Sequence, residues 1–213
     1  MESLMARPDK PLVSRSAAVL AAVEIIGAEG LDAFTMPRLA DEFGIRVPSL
    51  YHHFRDRDDV LLAVVRYVAG TAVATSEVVP GPDWPDFFVA LAMNFRRSFM
   101  SHTNTAPLLL RYRPRDLLPG GYEAAAAFLK WSEVPVALHI RILDGMETLL
   151  IGAVLCEDLN PAIAADNSFH SCAVEPGSAL ASALKACDLS ADAMFEGKVR
   201  AFLLGVTQMV GSS

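Results

Sequence analysis

The stretch TMPRLADEFGIRVPSLYHHFRDR, Thr35 to Arg57, decides the reading of this chain. It spells two short helices joined by a tight turn. Thr35 is an N-cap, and Leu39, Ala40 and Phe43 supply one apolar face. Gly44 takes the bend where a positive φ is easiest, and Ile45 plugs the corner. The second helix begins at Val47 or Pro48 and is expected to run to about Phe54. Proline is at ease there because a first helical turn has no intrahelical partner for the N–H it lacks. This layout is a helix-turn-helix, whose second helix can lie in the major groove of DNA.

Working outward, Ser14 is a plausible N-cap for a helix to Glu29, with Val19, Val23 and Ile26 at helical spacing and Gly30 closing it. Asp56 can cap a fourth helix from Arg57 to about Ala74, striped by Val60, Val64, Tyr67 and Val68. The turn cluster VPGPDWP, Val79 to Pro85, marks the boundary between two regions. The expected division is residues 1–70 as a DNA-binding domain, with a linking helix over about 57–74, and 75–213 as a larger helical domain. Beyond the boundary no strand alternation is sustained. Helices are expected over Asp86–Met100, near Pro107–Tyr112, and over Tyr122–Trp131, Val136–Glu157, Gly177–Ala186 and Ala191–Val210, with a polar loop around Asn160 to Pro176. The fold class is all-α.

At 213 residues, with 53 % hydrophobic and 20 % charged residues, the composition is globular. No window of about 18 residues is free of both charge and helix breakers, so no spanning helix is expected. The start, MESLMARPDKP, carries an acid at position 2 and no apolar core, which points to a cytoplasmic protein without a secretory signal. Cys156, Cys172 and Cys187 form no C-x-x-C pair, which disfavours a disulfide or metal framework. The net charge of −7 argues against a nucleic-acid partner at first sight. Residues 1–70 hold 8 Lys/Arg against 10 Asp/Glu, but local placement governs phosphate contact, and Arg38, Arg46, Arg55 and Arg57 all fall in or beside the two short helices. No G-x-S-x-G elbow, H-E-x-x-H pair or phosphate-cradling glycine loop supports an enzyme. Glu157 and Asp158, near a helix end, are read as solvated or capping.

The first 70 or so residues resemble the TetR family of bacterial transcriptional repressors. The matching signature runs through Glu29, Gly30 and Leu31, then T-x-x-x-L-A at Thr35, Leu39 and Ala40, and F-G-I at Phe43 to Ile45. It continues with L-Y-x-H-F at Leu50, Tyr51, His53 and Phe54, and D-x-x-x-L at Asp58 and Leu62. The resemblance extends to the regulatory half of the tetracycline-repressor subgroup through Ala92-Met93-x-Phe95-Arg96-Arg97, Arg113-Pro114, Tyr122-Glu123, Gly152 to Leu155, and Phe195-x-Gly197 with Gly205. It implies a homodimer on palindromic operator DNA, paired through the last long helices, with a small-molecule pocket in each regulatory half. Ligand binding would shift the linking helix and move the two recognition helices out of register with groove segments about 34–36 Å apart. An activator or architectural factor without an effector is the alternative, favoured if the regulatory core is filled.

On that resemblance Val47, Pro48 and Ser49 face base edges, the first two suited to a thymine methyl and Ser49 to several bases. Tyr51, His53 and Arg57 match family positions that touch phosphates, Arg38 stands where the family often has a groove-facing basic residue, and Thr35 and His52 complete the expected DNA-binding set, although one of the two histidines could instead pack against the first helix. Arg46 reaches a phosphate or base, or only covers the surface. The regulatory pocket would be lined by Leu91, Phe95, Leu109, Tyr112, Trp131 and His139, with Arg113 as partner for a carboxylate, and the implied ligand is apolar or aromatic. Leu150, Gly152, Ala153, Leu155, Phe202, Leu203 and Val206, with Gly145, Gly197 and Gly205 as small residues, are the candidate dimer interface; packing within one subunit is the other reading. No cofactor, metal or membrane partner is expected. A tetracycline-magnesium pocket in the family uses His, Asn, His and Thr where this chain has Val73, Leu91, Leu109 and Tyr112. Leucine cannot coordinate a hard cation, so titration calorimetry with tetracycline and magnesium should give no micromolar complex.

Overall fold

The computed structural model describes residues 13–72, 78–158 and 174–208. Among them are ten α-helices, one 3-10 turn and no strand. The amino-terminal part holds α1 (Arg15–Glu29), α2 (Met36–Glu42), α3 (Val47–Leu50) and α4 (Arg57–Thr71). The carboxy-terminal part holds α5 (Trp84–Ser101), a 3-10 turn (Ala106–Leu110), α6 (Pro114–Leu117), α7 (Pro119–Trp131), α8 (Val136–Asp158), α9 (Ala179–Ala186) and α10 (Ala191–Gln208). No described helix is long and apolar enough to cross a membrane.

Three side-chain caps fix where the early helices begin. Ser14 accepts from the Ala17 N–H, Thr35 from Arg38 and Asp56 from Asp59, so each satisfies a donor that the first turn would leave orphaned. Gly30 (φ 87°) ends α1, its N–H donating to the Ile26 carbonyl, and Gly44 (φ 58°) makes the bend between α2 and α3. Ile45 then donates its N–H to Ala40. The regular part of the second motif helix is shorter than the sequence implies. It stops at Leu50, whose carbonyl takes the N–H groups of both His53 and Phe54 as the chain tightens through a turn. In the other direction α5 and α7 start two and three residues earlier than expected, and Pro114 opens the unforeseen α6. Val73, Ala74 and Cys172, and most of the Asn160–Pro176 loop, lie outside the described residues.

The helix that ties the fold together is α4. Val60, Val64 and Val68 are fully buried, joined by Leu61 and Val65, while Tyr67 of the expected stripe lies at the surface. Each such buried side chain contributes about 1.5–3 kcal/mol relative to exposure. One side of α4 packs on α1, the other on α5. Near its end, the Val68 carbonyl accepts from the Ser98 hydroxyl of α5 at 2.6 Å. A second tie runs through Asn104, in the left-handed region at φ 63°. Its side-chain amide donates to the Gly27 carbonyl of α1 at 3.0 Å, and its own N–H donates to Asp158 at 2.8 Å. Asp158 is therefore an inter-helix acceptor, and its neighbour Glu157 holds Arg96 at 2.7 Å with only about a tenth of either side chain exposed. Neither carboxylate is merely solvated, which corrects the sequence reading.

Helix α8 is the spine of the second part, flanked by α5, α7 and α10. At Gly145 it comes so close to α10 that an added Cβ would lie 2.1 Å from the Phe202 ring. This glycine serves packing inside the subunit, and Phe202 is drawn inward with it. Gly145→Ala should therefore lower the unfolding free energy by about 1–3 kcal/mol in a urea titration, whereas at Gly152 an added Cβ meets nothing within the subunit.

Candidate functional site

Two places in the fold carry chemistry. The first is the outer surface of α2 and α3. Pro48, Ser49, Tyr51 and His52 are exposed, and so is Arg46, whose side chain does not cap α3. Val47 and His53 are partly covered. The α3 N-terminus is thus presented outward by a buried Leu50 and Phe54 on its reverse side. That is the geometry a side chain needs to meet a base edge.

Two arginines of the expected DNA-binding set are engaged otherwise. The Arg57 guanidinium turns inward, donating to the carbonyls of Phe34 at 2.9 Å and Leu31 at 3.1 Å and lying over the Phe34 ring. It locks the α1–α2 connection onto α4, and the sequence assignment of Arg57 to DNA is corrected accordingly. Arg38 is clamped between Glu29 at 2.7 Å and Glu42 at 2.9 Å. These two hydrogen-bonded carboxylates hold its guanidinium even more firmly protonated than usual, and it would have to leave both to reach a phosphate. Thr35 has its hydroxyl oxygen occupied by the Arg38 N–H. Arg15 sits over the Phe54 ring, donates to the His53 carbonyl and pairs with Asp59 at 2.8 Å. That hydrogen bond from Arg15 holds the Asp59 carboxyl below the usual carboxylate range despite partial burial. Arg15 thus braces the chain just after α3 from behind.

The second place is a cavity of about 340 Å³, partly open to solvent, between α4, α5, α6, α7 and α8. Phe87, Phe88, Leu91, Phe95, Met146 and Leu150 make its apolar wall. Ala69 and Ala72 close one end, so the terminal turn of α4 forms part of the lining. Its polar groups are Tyr122 and Glu147. The Tyr122 hydroxyl donates to Glu147 Oε2 at 2.6 Å, and Arg115 Nε donates to the same carboxylate at 2.9 and 3.0 Å. Arg115 also bonds Asp144 at 2.8 Å. Burial first, then the bond to Glu147, pushes the Tyr122 phenol well above its ordinary pKa, so it stays a donor.

Of the seven expected pocket residues, Leu91 and Phe95 line this cavity. Leu109 is packed in the core instead. His139 is a satisfied core histidine whose Nε2 lies 2.9 Å from the Val134 carbonyl. Trp131 is 68 % exposed and Arg113 is exposed as well, both away from the cavity lining. Tyr112 stands under Arg111, and its buried hydroxyl has no hydrogen-bond partner among the described residues. The helical stripe failed as a guide because it identifies buried faces, and only the packing of α7 against α8 decides which buried faces enclose space. The missed pair had one legible signal: Glu147 is a lone carboxylate in the apolar run Met146 to Leu155.

The candidate dimer residues divide. Leu203 has no exposed surface, and Leu150 and Val206 are also buried within the subunit, so they belong to its own core. Gly152 is exposed, Ala153 and Leu155 are partly so, and on α10 Ala201, Gly205 and the 58 % exposed Leu204 share the outer side with Gly197. An added Cβ at Gly152, Gly197 or Gly205 would meet nothing within 4 Å.

Residues 19–64 match the family model for bacterial regulatory proteins, tetR family. The chain is 25 % identical over 154 residues to the tetracycline repressor protein class D of Escherichia coli, covering 72 % of this chain and 71 % of that protein. An HTH-type transcriptional regulator of Saccharopolyspora erythraea is 34 % identical over 99 residues, covering 46 % of this chain and 41 % of that one. Apo ActR from Streptomyces coelicolor has the same fold, with a TM-score of 0.74 at 24 % identity over 94 % of this chain and 97 % of that one. For the inward-facing arginine the expected outcome is specific. Arg57→Ala should cost about 1.5–3 kcal/mol of stability in a urea titration, while the salt dependence of DNA binding, read from folded protein, stays as it was.

Proposed function

The chain is a DNA-binding transcriptional regulator of the tetR family of bacterial regulatory proteins, and from that premise we propose that it acts as a homodimeric repressor released from a palindromic operator by a small apolar molecule. The observation that carries this reading is the position of the cavity: Ala69 and Ala72 of α4 form part of its wall. A molecule that fills it presses on the same helix whose other flank packs on α1 and whose first turn is locked to the α1–α2 connection through Arg57. Ligand volume is thereby converted into displacement of the reading helix, provided the ligand binds the two arrangements unequally. A cavity of several hundred Å³ favours an effector-responsive regulator over a factor with a filled core. No catalytic constellation is needed by this reading.

Dimerisation is supported by the exposed glycines. Gly152, Gly197 and Gly205 lie inside long helices, where glycine costs about 0.5–1 kcal/mol relative to alanine. They serve no close approach within the subunit. Close approach of a second copy, with Leu204 supplying apolar area, accounts for them. In the dimer, two outward α3 helices read successive major grooves, with Ser49 at base edges and Arg46 at a phosphate.

The test is selection of bound duplexes from a random DNA pool by the purified protein at fixed salt. A two-fold symmetric site should emerge; Ser49→Ala should relax base preference within each half-site, and Arg46→Ala should weaken binding across sequences and lower the salt slope by about 1 per protomer. Failure of a folded dimer to enrich any site would overturn the reading.

A further inference from the structure

The polar end of the cavity has an uneven hydrogen-bond inventory. Tyr122 has one hydroxyl proton, and it is committed to Glu147 at 2.6 Å. What remains on that oxygen is acceptor capacity. Glu147 is an acceptor only when ionised, its side chain is 3 % exposed, and Oε1 takes a single bond, from Arg115 Nε at 3.0 Å. Arg115 approaches this carboxylate from outside the cavity lining and also serves Asp144 at 2.8 Å. The second carboxylate, Asp144, is 58 % exposed and lies outside the cavity lining, so the buried Glu147 is the one carboxylate that meets the apolar space. Among the described residues that line it, no side-chain donor remains directed into the apolar space.

Resting on the reading of this cavity as the effector site, we propose that the effector presents a hydrogen-bond donor, best of all a protonated amine, to Glu147 and Tyr122, and that it is not a carboxylate. The apolar wall from Phe87 to Leu150 takes the body of the molecule, a fused-ring or similarly bulky apolar group. A donating head group completes the free lone pairs of Glu147 and Tyr122. A protonated amine makes a charge-assisted hydrogen bond to Glu147, stronger than one between neutral groups. A carboxylate head would meet two acceptors and a like charge, and burying it unpaired carries a heavy desolvation cost. The assignment reverses the expectation built on Arg113, which lies at the surface away from the cavity.

The experiment uses the full-length protein and three fluorescent probes with one body: anthracenylmethylamine, anthracenemethanol and anthracenecarboxylate, titrated at neutral pH. The amine and the alcohol are expected to bind at least about tenfold more tightly than the carboxylate, corresponding to about 1.4 kcal/mol. Glu147→Gln should close most of the gap between amine and carboxylate. Should that variant not fold, Tyr122→Phe serves instead: it removes one of the two acceptors offered to the head group, so the affinity for the amine and the alcohol should fall while that for the carboxylate does not. Ala124→Trp, a substitution at an exposed α7 residue on the cavity wall, should block all three probes. Equal affinities, or tighter binding of the carboxylate, would overturn the head-group assignment while leaving the effector cavity standing. Absence of binding by every probe, or binding unaffected by Ala124→Trp, would overturn the effector cavity and this proposal together.

Discussion

Everything in this molecule depends on α4 being buried on two sides at once. A helix with a single apolar stripe can serve one core; this one, with Val60, Leu61, Val64, Val65 and Val68 all buried, is shared by two. Its amino-terminal end is held by the Asp56 cap and by Arg57. Its carboxy-terminal turn is held by Ser98 and forms the cavity wall at Ala69 and Ala72. Because protein interiors are close-packed, a displacement at one end is not absorbed locally and must appear at the other. The mechanical coupling proposed for the regulator follows from that sharing.

The polar groups follow the same economy. Arg57, Arg15 and Arg38 look alike in sequence, and all three were available for DNA. The fold uses them as internal braces: one on backbone carbonyls, one across Phe54 to Asp59, and one between two glutamates. This leaves Arg46 and the exposed Arg55 as outward charge beside α3. A chain with net charge −7 can still meet DNA this way, since a few well-placed cations decide phosphate contact. Glycine is divided in the same manner. Gly145 admits the Phe202 ring, whereas Gly152, Gly197 and Gly205 face open space.

The sequence by itself determined the elements whose signals are local. Ser14, Thr35 and Asp56 were read as caps and are caps; Gly30 and Gly44 were read as punctuation and carry the positive φ. The all-α class, the long helices and the helix-turn-helix followed from periodicity, because the i, i+3, i+4 spacing is a property of one helix alone. What only the tertiary structure decided was which of several equivalent buried faces meet and where they leave a gap. Trp131, His139 and Leu109 were reasonable lining residues by type, yet one is exposed, one is satisfied by a backbone carbonyl and one is core. Tyr122 and Glu147 are 25 residues apart and meet at 2.6 Å only because α7 lies against α8. A cavity and its polar end arise from the distances between helices, and no single helix encodes those distances.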